Sequence, residues 1–198
     1  MTIAVTGANG FIGGAIVRRL ISQGVFPILV DDDKSRCSPA CLFIHKDNFL
    51  DEIQNFNIDT IIHQGACSDT MNHDVDFMMK NNCHYSQKIL GICDEMNIRL
   101  IYASSAAVYG LGKQGFTEDT LLDNPLNVYA RSKLEFDVYV NNRPKKNQVV
   151  GLRYFNVYGI DESHKGHMAS TIFQFYKQAQ GNNKVRPFAG SENFCRDF

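Results

Sequence analysis

The sequence predicts an α/β fold in which a doubly wound parallel sheet carries helices on both faces. Two observations predict it: short apolar runs alternate with longer helix-like stretches, and a glycine-spaced turn joins the first run to the first helix. The chain has 198 residues, of which 44% are hydrophobic and 21% are charged, so it is long and apolar enough to bury a core. These proportions also exclude a disordered chain.

The strands are predicted where short runs of β-branched and other apolar residues occur. In chain order the predicted strands are 3–5, 28–30, 42–44, 59–63, 99–103 and 149–154. Because strands that alternate with helices form a parallel sheet, ligands are expected beyond the carboxyl ends of these strands.

The helices are predicted from apolar residues that recur every three or four positions. In the first helix, 11–23, this face consists of Ile12, Ile16, Val17, Leu20 and Ile21, and Gly24 ends the helix. The other predicted helices are about 74–96, about 128–141 and 168–180.

The charge balance and the termini exclude several classes of function. Lysine and arginine number 20, aspartate and glutamate number 21, and the net charge is −1, so nucleic acid is not an expected partner. The chain has neither the roughly 18 apolar residues of a membrane span nor a signal peptide, so we expect a cytoplasmic protein without a membrane partner. Its six cysteines are then expected to be reduced, and no metal is predicted, since the Cys37-x3-Cys41 spacing lacks a second pair.

A G-x-x-G-x-x-G turn, formed by Gly7, Gly10 and Gly13, lies between the first strand and the first helix. A Rossmann-type fold binds the pyrophosphate of a dinucleotide at this place. Gly7 and Gly10 allow the backbone to approach phosphate, and Gly13 allows the helix to pack on the sheet. The helix beginning at Phe11 and Ile12 then directs N–H groups at the anion. An ordinary strand-to-helix turn is the alternative, but the context favours dinucleotide binding.

Three aspartates, Asp31 to Asp33, end the second strand about 20 residues after the glycines. An acid at this place can bind the adenosine ribose, and we select Asp32, with Asp33 beside it, as cofactor contacts. Lys34 and Arg36 follow directly, and either can meet a 2′-phosphate. The residues therefore leave both NADP and NAD open.

Tyr129 and Lys133 form a Y-x-x-x-K pattern on a predicted helix, where residues four apart share a face. A free tyrosine has a pKa near ~10. We expect a nearby ammonium and a nicotinamide cation to lower the pKa of Tyr129, so that it moves a proton while a hydride moves. Ser104 and Ser105 follow a strand, where a hydroxyl can hydrogen-bond the reacting oxygen. The pattern is weak by itself but strong in this order after the glycine turn.

Several motifs in chain order carry a family resemblance. They are residues 6–13 (TGANGFIG), 63–68 (HQGACS), 102–110 (YASSAAVYG), 125–133 (PLNVYARSK), 153–159 (RYFNVYG), 164–170 (HKGHMAS) and 190–198 (GSENFCRDF). Through them the whole chain resembles the extended short-chain dehydrogenases/reductases of the NAD-dependent epimerase/dehydratase family. The first motifs are shared across that superfamily, whereas the last two point to its ADP-heptose 6-epimerases.

The resemblance implies an isomerase that inverts C6″ of ADP-D-glycero-β-D-manno-heptose, in lipopolysaccharide biosynthesis, by transient oxidation and reduction with bound NADP, NAD being the alternative. It implies two acid/base groups, Tyr129 and Lys165, while Ser105 orients the reacting oxygen and Lys133 binds the nicotinamide ribose. The other implied cofactor contacts are Gln64, Gly65, Ala66, Cys67, Ser68, Asn81 and Val157. The other implied substrate contacts are Asn156, His167, Gln174, Phe188, Ala189, Gly190, Ser191 and Arg196.

The chain departs from the family's pattern at His167, where a small serine is common, and at Gln174, where a histidine is common. The family continues for roughly another hundred residues, so a C-terminally truncated or partial chain is expected. We expect an NAD(P)-binding domain at 1–160 and the start of an incomplete, smaller substrate-binding domain at 161–198. Full-length members of the family form homo-oligomers.

Two other functions stay open. A C4 epimerase of another nucleotide sugar shares the glycines, Ser105, Tyr129 and Lys133 but does not need Lys165. An inactive dinucleotide-binding module is suggested by the early end of the chain. A 4,6-dehydratase is disfavoured, because elimination of water needs an acid near the reactive serine and residues 104–110 contain no carboxylate.

Overall fold

The structure, a computed structural model, describes residues 1–119, 125–144 and 146–187. The chain divides into two compact units, residues 1–153 and 154–198. In the described residues the strands are β1 (Ile3–Thr6), β2 (Ile28–Asp31), β3 (Phe43–His45), β4 (Thr60–His63), β5 (Arg99–Ser105) and β6 (Val149–Tyr154). They form one sheet in the order β3-β2-β1-β4-β5-β6.

The helices alternate with these strands. They are α1 (Phe11–Ser22), α2 (Lys46–Glu52), α3 (Val75–Met78), α4 (Tyr85–Met96), α5 (Val128–Asn142) and α6 (Thr171–Asn182). A π-helical turn, Met79–His84, joins α3 to α4, and 3₁₀ segments lie at Ile53–Asn55, Ala106–Tyr109 and Glu162–Met168.

The sheet reverses its strand order between β1 and β4. Strand β1 pairs in parallel with both β2 and β4, β2 with β3, and β4 with β5. Thr6 of β1 lies opposite His63 of β4, so the carboxyl ends of the two central strands meet at one edge. Ligands bind at this kind of switch point in open α/β sheets.

The core consists of two apolar clusters, one on each face of the sheet. Val5 and Leu29 pack with Val17 of α1, whereas Ala4 and Val30 belong to the cluster of α2, α4 and α5. Neighbouring strand residues point to opposite faces, and helices cover both. The predicted fold class, an α/β doubly wound parallel sheet, is therefore confirmed.

Two helices differ from the prediction. Helix α2 was not predicted, since seven residues show no helical period, but its Phe49 is completely buried. Helix α6 begins at Thr171 rather than at residue 168, because Ser170 has non-helical backbone angles and its hydroxyl accepts a hydrogen bond from Phe173 N.

Two further findings concern the described part of the chain. None of its helices is both long and apolar enough to cross a membrane. Its cysteines, Cys37, Cys41, Cys67, Cys83 and Cys93, are free thiols.

Candidate active site

The glycine turn between β1 and α1 depends on the absence of side chains. Gly7 has a φ of +67°, and a Cβ there would lie 2.6 Å from the backbone nitrogen of Gly65. A Cβ at Gly13 would lie 2.0 Å from the carbonyl oxygen of Gly7. Gly10 caps α1 without a side-chain hydrogen bond, so the helix presents its positive end at the switch point. The turn has the form that a pyrophosphate site requires.

The aspartates after β2 have different partners. The carboxylate of Asp31 accepts a hydrogen bond from Asn9 N in the glycine turn at 2.8 Å. Asp32, the residue selected from the sequence, instead pairs with Lys46 Nζ at 2.7 Å. Asp33 accepts from the hydroxyl and backbone of Ser35, which lowers the pKa of its carboxyl. Asp33 also accepts from the Asn9 side chain at 3.3 Å, so Asp31 and Asp33 contact the glycine turn, and Asp31 alone of the three accepts from its backbone.

A buried histidine at the end of β4, His63, connects the end of β1, just before the glycine turn, to helix α4. Ser86 Oγ donates to Asn82 O at 2.7 Å, so it accepts from His63 Nε2 at 2.8 Å. The other ring nitrogen of His63, Nδ1, then accepts from Thr6 Oγ1 at 2.6 Å. Thr6 Oγ1 in turn accepts from Gly65 N at 3.1 Å. This assignment of donors makes His63 neutral, with its proton on Nε2.

Asn82, in the π-helical turn, joins the loop after β4 to α5. Its Oδ1 accepts from Cys67 N at 2.8 Å, and its Nδ2 donates to Cys67 O at 2.9 Å and to Ser132 Oγ at 3.0 Å. Ser132 Oγ donates to the carbonyl of Tyr129 at 2.7 Å. The loop after β4, residues 64–68, contains predicted cofactor contacts and is called the cofactor loop. The buried Asn82 amide therefore holds the cofactor loop against the helical turn that carries Tyr129.

The predicted catalytic residues of the first unit meet at the end of β5. Ser105 lies near enough to Tyr129 for its hydroxyl to lower the pKa of the phenol. Lys133, which is 6% exposed, donates from Nζ to Ala103 O at 2.9 Å. The structure thus brings a hydroxyl, a phenol and an ammonium together at the carboxyl edge of the sheet, beside the loop after β4.

The pKa values of these groups correct one expectation. Burial lowers the pKa of Lys133 to about 8, and the charge of Asp137 opposes that shift. For Tyr129 the sequence predicts a lowered pKa, but in the chain by itself burial raises the pKa of the phenol, against the lowering effect of the nearby Ser105 hydroxyl. Burial has this effect because it disfavours the phenolate.

A buried carboxylate stands behind this cluster. Asp137 is 3% exposed and accepts from Tyr102 OH at 2.9 Å and from Ser104 Oγ at 2.7 Å. Arg153 Nε lies 3.6 Å from the same carboxylate. Asp137 therefore fixes the carboxyl-terminal end of strand β5 against helix α5. It lies one helical turn after Lys133 in that helix.

An orphaned amide tests whether a dinucleotide fits this edge. Gln64 follows β4 directly, and both its Oε1 and its Nε2 are buried without a hydrogen-bond partner among the described residues. Buried amides are normally paired, so a polar ligand would satisfy this one. With the glycine turn, the residues present fit a bound dinucleotide.

The second unit carries other predicted site residues. Lys165 lies in the 3₁₀ segment Glu162–Met168, with 23% of its side chain exposed and its Nζ 3.9 Å from Glu162 Oε2. Burial lowers the pKa of Lys165, and the charge of Glu162 opposes that shift. Gln174 of α6 donates to Gly166 O at 2.9 Å, and His167 is exposed.

The remaining predicted contacts have less defined places. Asn156 and Val157 lie between β6 and the 3₁₀ segment that carries Lys165. Asn81 donates to Phe77 O of its own helix at 2.8 Å. The expectations for Phe188, Ala189, Gly190, Ser191 and Arg196 fall outside the described residues.

Sequence reasoning missed two residues of this edge. Asp31 gave no signal that separates it from the two aspartates after it. For Asn82 the sequence does contain a signal. Met78, Asn82 and Ser86 are spaced four residues apart, which is the spacing of a buried helix face. Its neighbour Asn81 lies off that face.

The comparisons with known proteins agree with this arrangement. The NAD dependent epimerase/dehydratase family matches residues 3–198. The ADP-L-glycero-D-manno-heptose-6-epimerase of Brachyspira hyodysenteriae is 49% identical over 213 aligned residues, covering 99% of this chain and 67% of that protein.

Solved structures are similar as well. The ADP-L-glycero-D-manno-heptose-6-epimerase of Helicobacter pylori has a TM-score of 0.83 and 30% identity over 93% of this chain and 64% of its own. The UDP-glucose 4-epimerase of Thermus thermophilus, in complex with NAD, has a TM-score of 0.71 and 26% identity over 80% of this chain and 56% of its own. The chain thus spans between 56% and 67% of the length of these relatives.

Proposed function

Because the chain belongs to the NAD dependent epimerase/dehydratase family, we propose that it inverts C6″ of ADP-D-glycero-β-D-manno-heptose to the L-glycero form with a bound nicotinamide dinucleotide. The observation that carries the proposal is the meeting of Ser105, Tyr129 and Lys133 beside the cofactor loop. The heptose is proposed from the two 6-epimerases among the relatives.

The residues of the first unit have distinct roles in this proposal. A dinucleotide held by the glycine turn would supply the hydride acceptor and donor by which C6″ could be oxidised to a ketone and reduced again on its opposite face. Ser105 holds the C6″ oxygen by a hydrogen bond, and Tyr129 receives the hydroxyl proton as the C–H bond breaks. The Lys133 ammonium binds the ribose and stabilises the phenolate. No dinucleotide is consumed, since one hydride leaves and one returns.

The return step needs a second acid/base group. We assign it to Lys165 of the second unit, because hydride delivery to the other face presents the sugar oxygen from another side. Residues from 161 onward are proposed as the start of the substrate-binding part, with Asn156, His167 and Gln174 as sugar contacts. A C4 epimerase would not need Lys165.

The finer choice of cofactor depends on the charges after β2. The resemblance implies NADP, for which Lys34 and Arg36 are the available cations. The Asp31 carboxylate at the glycine turn supports NAD, since it can bind a free 2′-hydroxyl and repels a 2′-phosphate. We expect both to bind, with NAD at least as tight, and Asp31→Asn to improve NADP relative to NAD in titration calorimetry. An unchanged ratio would remove Asp31 from the ribose site.

Proton NMR tests the reaction. The purified chain is incubated with ADP-D-glycero-β-D-manno-heptose and NADP or NAD, and the L-glycero epimer is expected. Tyr129→Phe removes the proton acceptor and should abolish conversion, while Tyr139→Phe, an exposed tyrosine of the same helix α5, is the matched control. Conversion of UDP-glucose but not of the heptose would favour the C4 epimerase. Dinucleotide binding with no conversion would favour the non-catalytic module.

A further inference from the structure

One carboxylate of the second unit is almost completely buried. Glu162 is 1% exposed. A buried charge is costly unless hydrogen bonds and a counter-charge compensate it. Glu162 Oε1 accepts from Gly159 N at 2.8 Å and from Ser170 Oγ at 2.9 Å, while its Oε2 accepts from Ser170 N at 2.6 Å. Its oxygens are thus occupied by donors from both sides of a loop.

These hydrogen bonds close the segment that carries Lys165. Gly159 precedes the 3₁₀ segment and Ser170 follows it, so one carboxylate joins the two ends. Ser170 is also the N-cap of α6, where its Oγ accepts from Phe173 N at 3.1 Å. The loop is therefore fixed to the first turn of a helix.

A second attachment lies directly beside the lysine. Gly166 has a φ of +55°, a left-handed conformation that reverses the chain after Lys165. Gln174 of α6 donates to Gly166 O at 2.9 Å. Backbone on either side of Lys165 is thus held by groups of its own unit.

Glu162 also supplies charge to the lysine. Its Oε2 lies 3.9 Å from Lys165 Nζ. Burial favours a neutral Glu162, but hydrogen bonds from Ser170 and Gly159 outweigh that effect and lower its pKa, so it is ionised at neutral pH. The other titratable groups of the segment are Asp161, His164 and His167, and the charged residue of α6 is Lys177, so α6 offers Lys165 no carboxylate.

We propose that Glu162 is the positioning residue for Lys165: its buried carboxylate closes the loop that carries the lysine and faces the lysine's ammonium. The inference rests on the proposed function, in which Lys165 is the second acid/base group. With Glu162 ionised, Lys165 stays protonated until it gives its proton to the sugar oxygen. The loop closure keeps that proton in one place.

Two kinds of variant separate charge from loop closure. Glu162→Gln keeps the volume and removes the charge, whereas Glu162→Asp keeps the charge on a shorter side chain. Asp161→Asn is the matched control, since it removes a neighbouring exposed charge at a φ of +73° that asparagine also adopts. Circular dichroism confirms that each variant is folded.

The first measurement is the titration of Lys165, followed by ¹³C NMR of labelled lysine side chains and assigned with Lys165→Arg. Glu162→Gln is expected to lower the midpoint by about one pH unit, since an opposite charge near 4 Å is removed. Glu162→Asp and Asp161→Asn are expected to lower it by clearly less. An unchanged midpoint in folded Glu162→Gln overturns the inference. So does an equal shift in Asp161→Asn.

The second measurement is turnover of the ADP-heptose against pH. In Glu162→Gln we expect kcat to fall about tenfold, with KM nearly unchanged and the basic limb of the profile moved to lower pH. Glu162→Asp should restore part of kcat. Absence of turnover in the unsubstituted chain would count against the proposed function, while the titration would still decide the role of Glu162. If the basic limb of the pH profile is the same in Glu162→Gln as in the unsubstituted chain, the positioning role of Glu162 is refuted.

Discussion

Acid is expected to destabilise the chain through His63. This imidazole is 3% exposed, and its neutral form satisfies the hydrogen bonds to Thr6 and Ser86. Burial, and then the charge of Lys133, lowers the pKa of His63 from 6.5 to about 3. The folded protein therefore excludes a proton that the unfolded chain binds.

The size of the effect follows from these two pKa values. Well above pH 6.5 both states carry a neutral His63, and its contribution to stability is complete. As the pH falls towards 3, the unfolded chain takes up one more proton, which costs up to ~1.4 kcal/mol for each pH unit. Between pH 6.5 and about 4.5 the free energy of unfolding should fall by about 2 kcal/mol on account of this residue.

Urea unfolding at a series of pH values, followed by circular dichroism, measures this slope. His63→Asn removes the titrating group, so its slope should be shallower than that of the unsubstituted chain by close to one proton. His84→Asn, an exposed histidine in the same helical region, should keep the full slope. The reasoning is refuted if His63→Asn and the unsubstituted chain lose stability equally over this range. Imidazole ¹⁵N NMR that shows a charged His63 above about pH 5 would refute it too.

Two further predictions concern the cofactor edge. Gly13→Ala places a Cβ 2.0 Å from the carbonyl of Gly7 and should weaken dinucleotide binding at least about tenfold in calorimetry, whereas Gly14→Ala, whose Cβ meets nothing closer than 3.4 Å, should bind almost normally. Equal affinities would contradict the close packing. Asn82→Ala removes three hydrogen bonds and should lower the free energy of unfolding by roughly 2–3 kcal/mol and also weaken binding, while Asn81→Ala, which loses one exposed bond, should cost clearly less. If both variants lose similar amounts of unfolding free energy and binding affinity, Asn82 does not hold the loop after β4 as argued.

The sequence predicted those parts of the site that depend on local spacing. Tyr129 and Lys133 are four residues apart on one helix, and Ser105 ends a strand, so each could be placed from its own segment. The glycine turn is local in the same sense. Strand and helix periods thus predict both the sheet and the residues at its carboxyl edge.

The parts that were missed depend on contacts between distant segments. Asp31 is distinguished from Asp32 by its hydrogen bond to Asn9, 22 residues earlier. Asn82 acts through a loop 15 residues before it and through Ser132, 50 residues after it. The local spacing of Met78, Asn82 and Ser86 marks Asn82 as buried, but no local pattern names the distant partners of Asn82 or Asp31.

The sign of a pKa shift is also a property of the packed structure. The Y-x-x-x-K spacing predicts an ammonium on the same helix face as Tyr129, but it does not show how far burial disfavours the phenolate. In Lys133 and in Lys165 the pKa of the ammonium is set by the same two opposing effects, burial and a nearby carboxylate. Burial lowers the pKa of Lys133 and of Lys165, and in each case a carboxylate of the same unit, Asp137 or Glu162, opposes the shift. Each carboxylate is itself held by at least two hydrogen bonds, so its charge acts on its lysine from a fixed place. Substitution of either carboxylate by its amide should therefore lower the pKa of the lysine that it faces.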